Sequence, residues 1–131
     1  EITGRTRSIN RGSWSAEELA ERLADPASLN ATIFKCLTKS LRIRADQSAF
    51  APTARQIFVN GGRDHLMFVR SDEKQRLLIV ASFSAEPQNI DWPSGVATSS
   101  DEVEDLLTSV FFVANQPFSL APHQVLWLEL G

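Results

Sequence analysis

Residues 55–83 read RQIFVNGGRDHLMFVRSDEKQRLLIVASF, and this stretch decides the fold class. Arg55–Asn60 and His65–Arg70 are short runs rich in β-branched and aromatic residues, separated by Gly61-Gly62-Arg63-Asp64. That arrangement predicts a hairpin, with glycine supplying positive φ at the turn. Ser71-Asp72-Glu73-Lys74-Gln75 is a polar turn, and Arg76–Phe83 is the next strand. Its unbroken apolar centre predicts a strand covered on both faces.

Strand signals continue towards the C-terminus. Glu86-Pro87 interrupts, and Gln88–Trp92 is a brief strand ending at Pro93-Ser94-Gly95. Leu106-Leu107 and Val110–Val113 read as one bent strand or two short ones, broken by Asn115-Gln116-Pro117. The last segment, Phe118–Leu130, is extended around a turn at Ala121-Pro122. About six to eight antiparallel strands at meander spacing are expected.

Towards the N-terminus the period changes to that of helices. Ser15 and Glu18 have capping-box spacing, and Trp14 stands where a hydrophobic staple would reach Leu19. A first helix over 16–24 follows. Asp25 is then expected to cap a second helix, with Pro26 at its first position. In that helix Leu29, Ile33, Cys36, Leu37, Ser40, Leu41 and Arg44 recur at helical spacing, leaving Lys35, Lys39 and Arg42 outward. It should fade near Asp46, before Ala51-Pro52. The expected fold is mainly β, with two N-terminal helices preceding an antiparallel, Greek-key-like β-sandwich. The domain division is 1–50 and 51–131.

Composition agrees with an ordinary globular chain: 131 residues, 43% hydrophobic and 22% charged, with six glycines and six prolines. Such a chain buries roughly two-thirds of its unfolded surface without staples. The formal net charge is −3, and no basic excess points to nucleic acid. Residues 1–44 nonetheless carry +3 and residues 45–131 carry −6, either a docking complementarity or a solvated helix face. Cys36 is the single cysteine, which excludes an intrachain disulfide and a cysteine zinc site. His65 and His123 have no second ligand at metal-like spacing. Neither a metal nor a cofactor is expected. No apolar run approaches ~20 residues, so no membrane partner is expected and the chain is placed in the cytoplasm. It opens on Glu1 in a polar stretch over 1–14, as a piece of a longer polypeptide would.

No catalytic residue emerges. Ser82 and Ser84 lie in a strand without an elbow motif or an oriented histidine. Asp101, Glu102, Glu104 and Asp105 lack calcium-loop spacing and read as a solvated surface stretch. Gly61-Gly62 has no phosphate-cradle context. Of the three tryptophans, Trp127 reads as core and Trp14 as the staple. Trp92, in Asp91-Trp92-Pro93, is the one candidate for stacking on a sugar.

Longer stretches carry a family likeness. Gly4-Arg5-Thr6-Arg7-Ser8-Ile9-Asn10-Arg11, Ala24-Asp25-Pro26-Ala27-Ser28-Leu29, Leu41-Arg42-Ile43-Arg44 with Ala49-Phe50-Ala51-Pro52, and the closing residues 118–128 together resemble a known C-terminal region. It is that of sucrose phosphorylase-like enzymes of the α-amylase superfamily, in particular the branch with glucosylglycerate and sucrose 6′-phosphate phosphorylases. The chain departs from that pattern at Gln47-Ser48, where His-Pro is typical, and at His123, where Tyr is commoner. The resemblance implies that residues 15–45 are the last helical layer of a (β/α)8 barrel and residues 51–131 the antiparallel domain C. It implies glucosyl transfer with retention by an Asp nucleophile, a Glu acid/base and a supporting Asp, all upstream of this segment. Asn10 and Arg11 match the family's Ile-Asn-Arg and would approach the acceptor or phosphate side in the intact parent, since an arginine fork suits phosphate oxygens; equally, Arg11 would pack over Trp14.

Three functions follow. The chain is a non-catalytic C-terminal piece of such a phosphorylase, partnered by the upstream barrel. Alternatively it is an independent carbohydrate-binding β-sandwich built on Trp92. In the third it is an interaction module whose helix 29–44 joins a homodimer, because four leucine-sized side chains left in water form an association surface.

Overall fold

The computed structural model describes residues 14–59 and 61–131. Two helices, α1 (Ala16–Ala24) and α2 (Leu29–Asp46), precede a 3₁₀ turn at Ser48–Phe50 and eight strands. The strands are β1 (Arg55–Phe58), β2 (His65–Ser71), β3 (Arg76–Ser82), β4 (Gln88–Ile90), β5 (Glu102–Asp105), β6 (Val110–Val113), β7 (Phe118–Leu120) and β8 (Val125–Glu129). Contacts divide the chain into two compact units, Glu1–Lys39 and Ser40–Gly131.

The helix starts show local chemistry at work. Ser15 Oγ accepts the Glu18 N–H at 3.1 Å and Glu18 Oε2 accepts the Ser15 N–H at 2.8 Å, a complete capping box. The second helix starts later than Asp25-Pro26 suggested. Asp25 Oδ1 accepts the Ala27 N–H at 2.9 Å and closes a turn, while Ser28 Oγ accepts the Ala31 N–H at 3.1 Å and caps α2. An aspartate two residues before an available amide satisfies it locally, and that turn displaces the helix start. No residue of either helix is buried.

Six strands form one antiparallel sheet in the order β1-β2-β3-β8-β5-β6, and β4 pairs with β7 in a second, two-stranded sheet. The connections are not those of a meander throughout, because β8 returns to lie between β3 and β5. β3 is central and its residues divide by parity. Leu78 and Val80 enter the main core with Met67, Val69, Leu126 and Leu128, closed from the far side by Ile90, Phe118 and Leu120 of the small sheet. Leu77 and Ile79 enter a smaller cluster on the opposite face, with Ala49 and the half-buried Phe50, Phe68 and Trp127. The unbroken apolar run of β3 is thus covered on both faces.

The β1–β2 turn corrects one expectation. Neither Gly61 nor Gly62 adopts positive φ; at Gly61 close approach of the backbone is what requires the glycine. A Cβ at Gly61 would lie 2.8 Å from the His65 carbonyl oxygen, and the Gly62 N–H donates to His65 Nε2 at 2.8 Å. Asn60, placed at the end of the first strand by sequence, lies outside the described residues. Left-handed residues occur elsewhere, at the Ser109, Asn115 and His123 corners (φ 59°, 60° and 55°). Asn and His are among the residues that tolerate this region best.

Candidate docking faces

Strand alternation places two lateral apolar rows on the face of the large sheet that carries the smaller cluster. Phe58 stands opposite Phe68, Phe68 opposite Ile79 and Ile79 opposite Trp127. One step along, Leu66 stands opposite Ala81 and Ala81 opposite Val125. The 3₁₀ turn covers part of this face through Phe50, whose ring centroid is 4.7 Å from that of Trp127. The rest is open, with Phe58 65% exposed and Leu66, Val125 and Phe83 also exposed. Exposed apolar side chains grouped on one sheet face make it a candidate docking surface.

Side chains of the sheet pin the 3₁₀ turn. Arg70 donates through Nε to the Ala49 carbonyl and through a terminal nitrogen to the Ala51 carbonyl, each at 2.8 Å. Gln75 Oε1 accepts the Ala49 N–H, and its amide donates to Gln47 Oε1 and to Glu129 Oε1. Gln47, one of the two departures from the family pattern, is therefore part of this anchorage. At the foot of the β2–β3 turn Asp72 Oδ1 accepts the Lys74 and Gln75 N–H groups at 2.9 and 2.8 Å. The Lys74 amide first, and then the Ser48 hydroxyl, hold its carboxyl below the usual carboxylate range.

Trp14, Leu19, Leu23, Ile33, Phe34 and Leu37 line an open groove of about 380 Å³ between α1 and α2. The arginine over Trp14 is Arg22, its guanidinium carbon 3.6 Å from the ring centroid. Asn10 and Arg11, the two residues assigned to the acceptor or phosphate side, lie outside the described residues.

The other candidates resolve into structural roles. Trp92 is half-buried against the main core, its ring edge-on to Phe118 and its Nε1–H donating to the Val96 carbonyl at 2.8 Å. The indole pins the 92–96 turn. Ser82 and Ser84 hydroxyls accept the Ser84 and Glu86 N–H groups. The acidic stretch is not uniformly solvated, because Asp105 is 0% exposed. Its carboxylate accepts the Trp127 N–H at 2.8 Å, the Leu107 N–H at 3.3 Å and the Thr108 hydroxyl at 2.6 Å. Among the described residues, no three His, Cys, Asp or Glu side chains come together to hold a metal ion. No helix among them is long and apolar enough to cross a membrane.

Sequence reasoning passed over Phe58, Leu66, Val125, Arg70 and the burial of Asp105. The open face was accessible only through the pairing register, since alternation alone does not say which parity meets the small sheet.

Comparison with known proteins gives these features a context. Residues 55–127 match the family described as "Maltogenic Amylase, C-terminal domain". Over 128 residues, 98% of the chain, it is 30% identical to a glucosylglycerate phosphorylase from Allomeiothermus silvanus, of which it spans 20%. The fold resembles part of AmyP, solved in complex with maltose, with a TM-score of 0.69 at 16% identity over 77% of this chain and 21% of that one. It also resembles part of the trehalulose synthase MutB from Pseudomonas mesoacidophila, with a TM-score of 0.61 at 21% identity over 86% and 19% of the two chains. The chain thus spans about one-fifth of the length of each of these proteins.

Proposed function

This chain belongs to the maltogenic amylase C-terminal domain family, and from that premise we propose that it is the non-catalytic C-terminal part of a glucosyl-transferring phosphorylase resembling sucrose phosphorylase. The observation that carries this reading is the extent of the likeness to a glucosylglycerate phosphorylase: it runs through 98% of the chain, helices and strands alike. A free-standing sugar-binding sandwich would have no reason to carry α1 and α2 with it. The partner is the upstream catalytic barrel of the parent chain, and the compartment is the cytoplasm.

Two apolar surfaces support the reading. The groove of α1 and α2 and the open face at Phe58, Leu66 and Val125 each expose half-covered apolar side chains, and completing their burial adds roughly 1 kcal/mol apiece. Covering them with the catalytic portion would stabilise the whole enzyme and fix the position of the lead-in, where Asn10 and Arg11 would face acceptor or phosphate. The chain's work is positional. A chain separated from its parent would cover the 29–44 face with a second copy.

The test is phosphorolysis. The chain alone is expected to release no glucose 1-phosphate from sucrose or glucosylglycerate, whereas the complete gene product does so with one of them. Turnover by the chain alone would overturn the proposal. The sugar-binding alternative is checked by following tryptophan fluorescence while adding maltose or sucrose. A flat trace is expected, because the Trp92 ring is half-buried against the main core with Phe118 edge-on to it.

A further inference from the structure

The β1–β2 turn is closed by a side chain whose charge changes near neutral pH. The Gly62 N–H donates to His65 Nε2 at 2.8 Å. A backbone amide only donates, so the ring nitrogen that meets it carries a lone pair and the ring proton sits on Nδ1. The imidazole lies directly against the turn, because a Cβ on Gly62 would meet both Cε1 and Nδ1. His65 is itself half-buried, whereas residues 61–64 are exposed.

Backbone bonds fix the two ends of this turn. The Val59 N–H donates to the Met67 carbonyl at 3.2 Å, and the Asp64 carbonyl accepts the Phe83 N–H at 2.8 Å. Between those ends the His65 ring holds the Gly62 amide. What the turn secures is β1, a strand of four exposed residues at the sheet edge, paired with β2. Phe58 ends that strand beside Phe68, with ring centroids 5.8 Å apart. It is also the most exposed member of the aromatic row on the open face. The imidazole therefore stands at the point where the hairpin closes, next to the outermost ring of that face.

We infer that His65 is a proton-operated latch on the β1–β2 turn: neutral, it holds the Gly62 amide, and protonated, it releases the turn and loosens the Phe58 end of β1. Protonation places a hydrogen on Nε2 and consumes the lone pair, so two donors then face each other and the bond is lost. Imidazoles take up this proton around pH ~6.5, where few other side chains change charge. The charged residues of the turn are Arg63 and Asp64, of opposite sign. Across from it on β3 stand Ser82, Phe83 and Ser84, and on β1 Phe58 and Val59, none of them charged. His123, the other histidine, meets the same end of β3 through its N–H, which donates to the Ser84 carbonyl at 3.2 Å. The latch lies within the β unit and does not depend on the phosphorylase reading.

Nuclear magnetic resonance on the isotope-labelled 131-residue chain tests the latch. At about pH 8 the His65 ring nitrogens should report the Nδ1–H tautomer, with a scalar coupling across the bond from the Gly62 amide to Nε2. On lowering the pH to about 5, the Gly62 amide should exchange about fivefold faster relative to its intrinsic rate, the effect of losing one ordinary hydrogen bond. The contact between the Phe58 and Phe68 rings should weaken over the same range, while the β2–β3 ladder keeps its protection. His65→Gln offers an acceptor that does not titrate and should hold the turn at both pH values; His65→Phe keeps a ring without an acceptor and should leave it open at both. His123→Asn, at a left-handed corner that asparagine tolerates, should leave the response unchanged. An Nε2–H tautomer at about pH 8, or equal Gly62 protection at both pH values, would overturn the latch. So would a pH response that survives His65→Phe or is abolished by His123→Asn.

Discussion

Replacing Asp105 by alanine should be among the most costly substitutions in the β unit. The carboxylate sits where β5 leaves β8: a single register pair, Asp105 with Leu128, joins the two strands before the chain turns through 106–109. There the side chain takes over from the backbone ladder, accepting the Trp127 N–H that no strand carbonyl meets. Removing it leaves two backbone donors and the Thr108 hydroxyl without their acceptor. Hydrogen bonds to a charged acceptor contribute about 1.5–3 kcal/mol each, and the 3.3 Å bond to Leu107 belongs at the bottom of that range. Against the sum stands the cost of burying the carboxylate itself, several kcal/mol, which alanine relieves. The net expectation is a loss of about 3 kcal/mol for Asp105→Ala. Asp105→Asn keeps one acceptor for Trp127 and lets the Thr108 hydroxyl reverse its role, so it should cost about 1 kcal/mol. In urea, with a slope near 2 kcal/mol per molar, the alanine midpoint should fall by about 1.5 M and the asparagine midpoint by about 0.5 M. Circular dichroism and tryptophan fluorescence followed together check that one transition is measured. An alanine variant within about 0.5 M of the parent, or an asparagine variant as weak as alanine, would refute the view that this carboxylate closes the corner.

Three further substitutions probe the anchorage and the alternative reading. Arg70→Met removes both bonds to the 47–51 segment and should cost about 1–2 kcal/mol, with faster exchange of the Ala49 amide as its local sign. Trp92→Phe keeps an aromatic ring but loses the donor to Val96 and part of the packing volume; a stability loss of about 1–2 kcal/mol with no change in any sugar titration is expected. Asp72, held below its ordinary value of 3.8 when folded, contributes stability that is fully present above that pH and disappears as the pH falls through the folded value. Asp72→Asn should therefore flatten the acid side of the stability curve below about pH 4 and leave its shape near neutrality unchanged, as urea midpoints across pH would record.

How much of this was legible in the sequence depended on the range of the interaction. The capping box at Ser15 and Glu18 spans three residues, and its spacing alone gave the correct start of α1. The buried run of β3 was readable because a strand covered on both faces needs no alternation. Asp25 misled for a local reason: Ser28, three residues on, is as good a cap, and only the competing turn at Ala27 decides between them. The register that brings Asp105 beneath Trp127 joins residues 22 apart through a strand that returns out of order. Nothing within four neighbouring carboxylates distinguishes the buried one. The glycines at 61 and 62 were rightly placed in a turn but for the wrong physical reason, since at Gly61 crowding against the His65 carbonyl and not handedness excludes a side chain.

The same argument separates the two sides of the large sheet. Met67 and Phe68, Val80 and Ile79, Leu126 and Trp127 are equally apolar neighbours, so hydrophobicity gives no preference for either parity. The small sheet of β4 and β7 chooses, by covering one parity completely. The opposite parity is then held only where Arg70 and Gln75 draw the 3₁₀ turn over it, and its aromatic row stays open at Phe58. An isolated domain selected for solubility alone would put polar residues at Leu66 and Val125, and would need Phe58 only as the ring beside Phe68. Their chemistry makes sense when a second surface lies over them, and for that reason the open face says more about this chain's role than any titratable group in it.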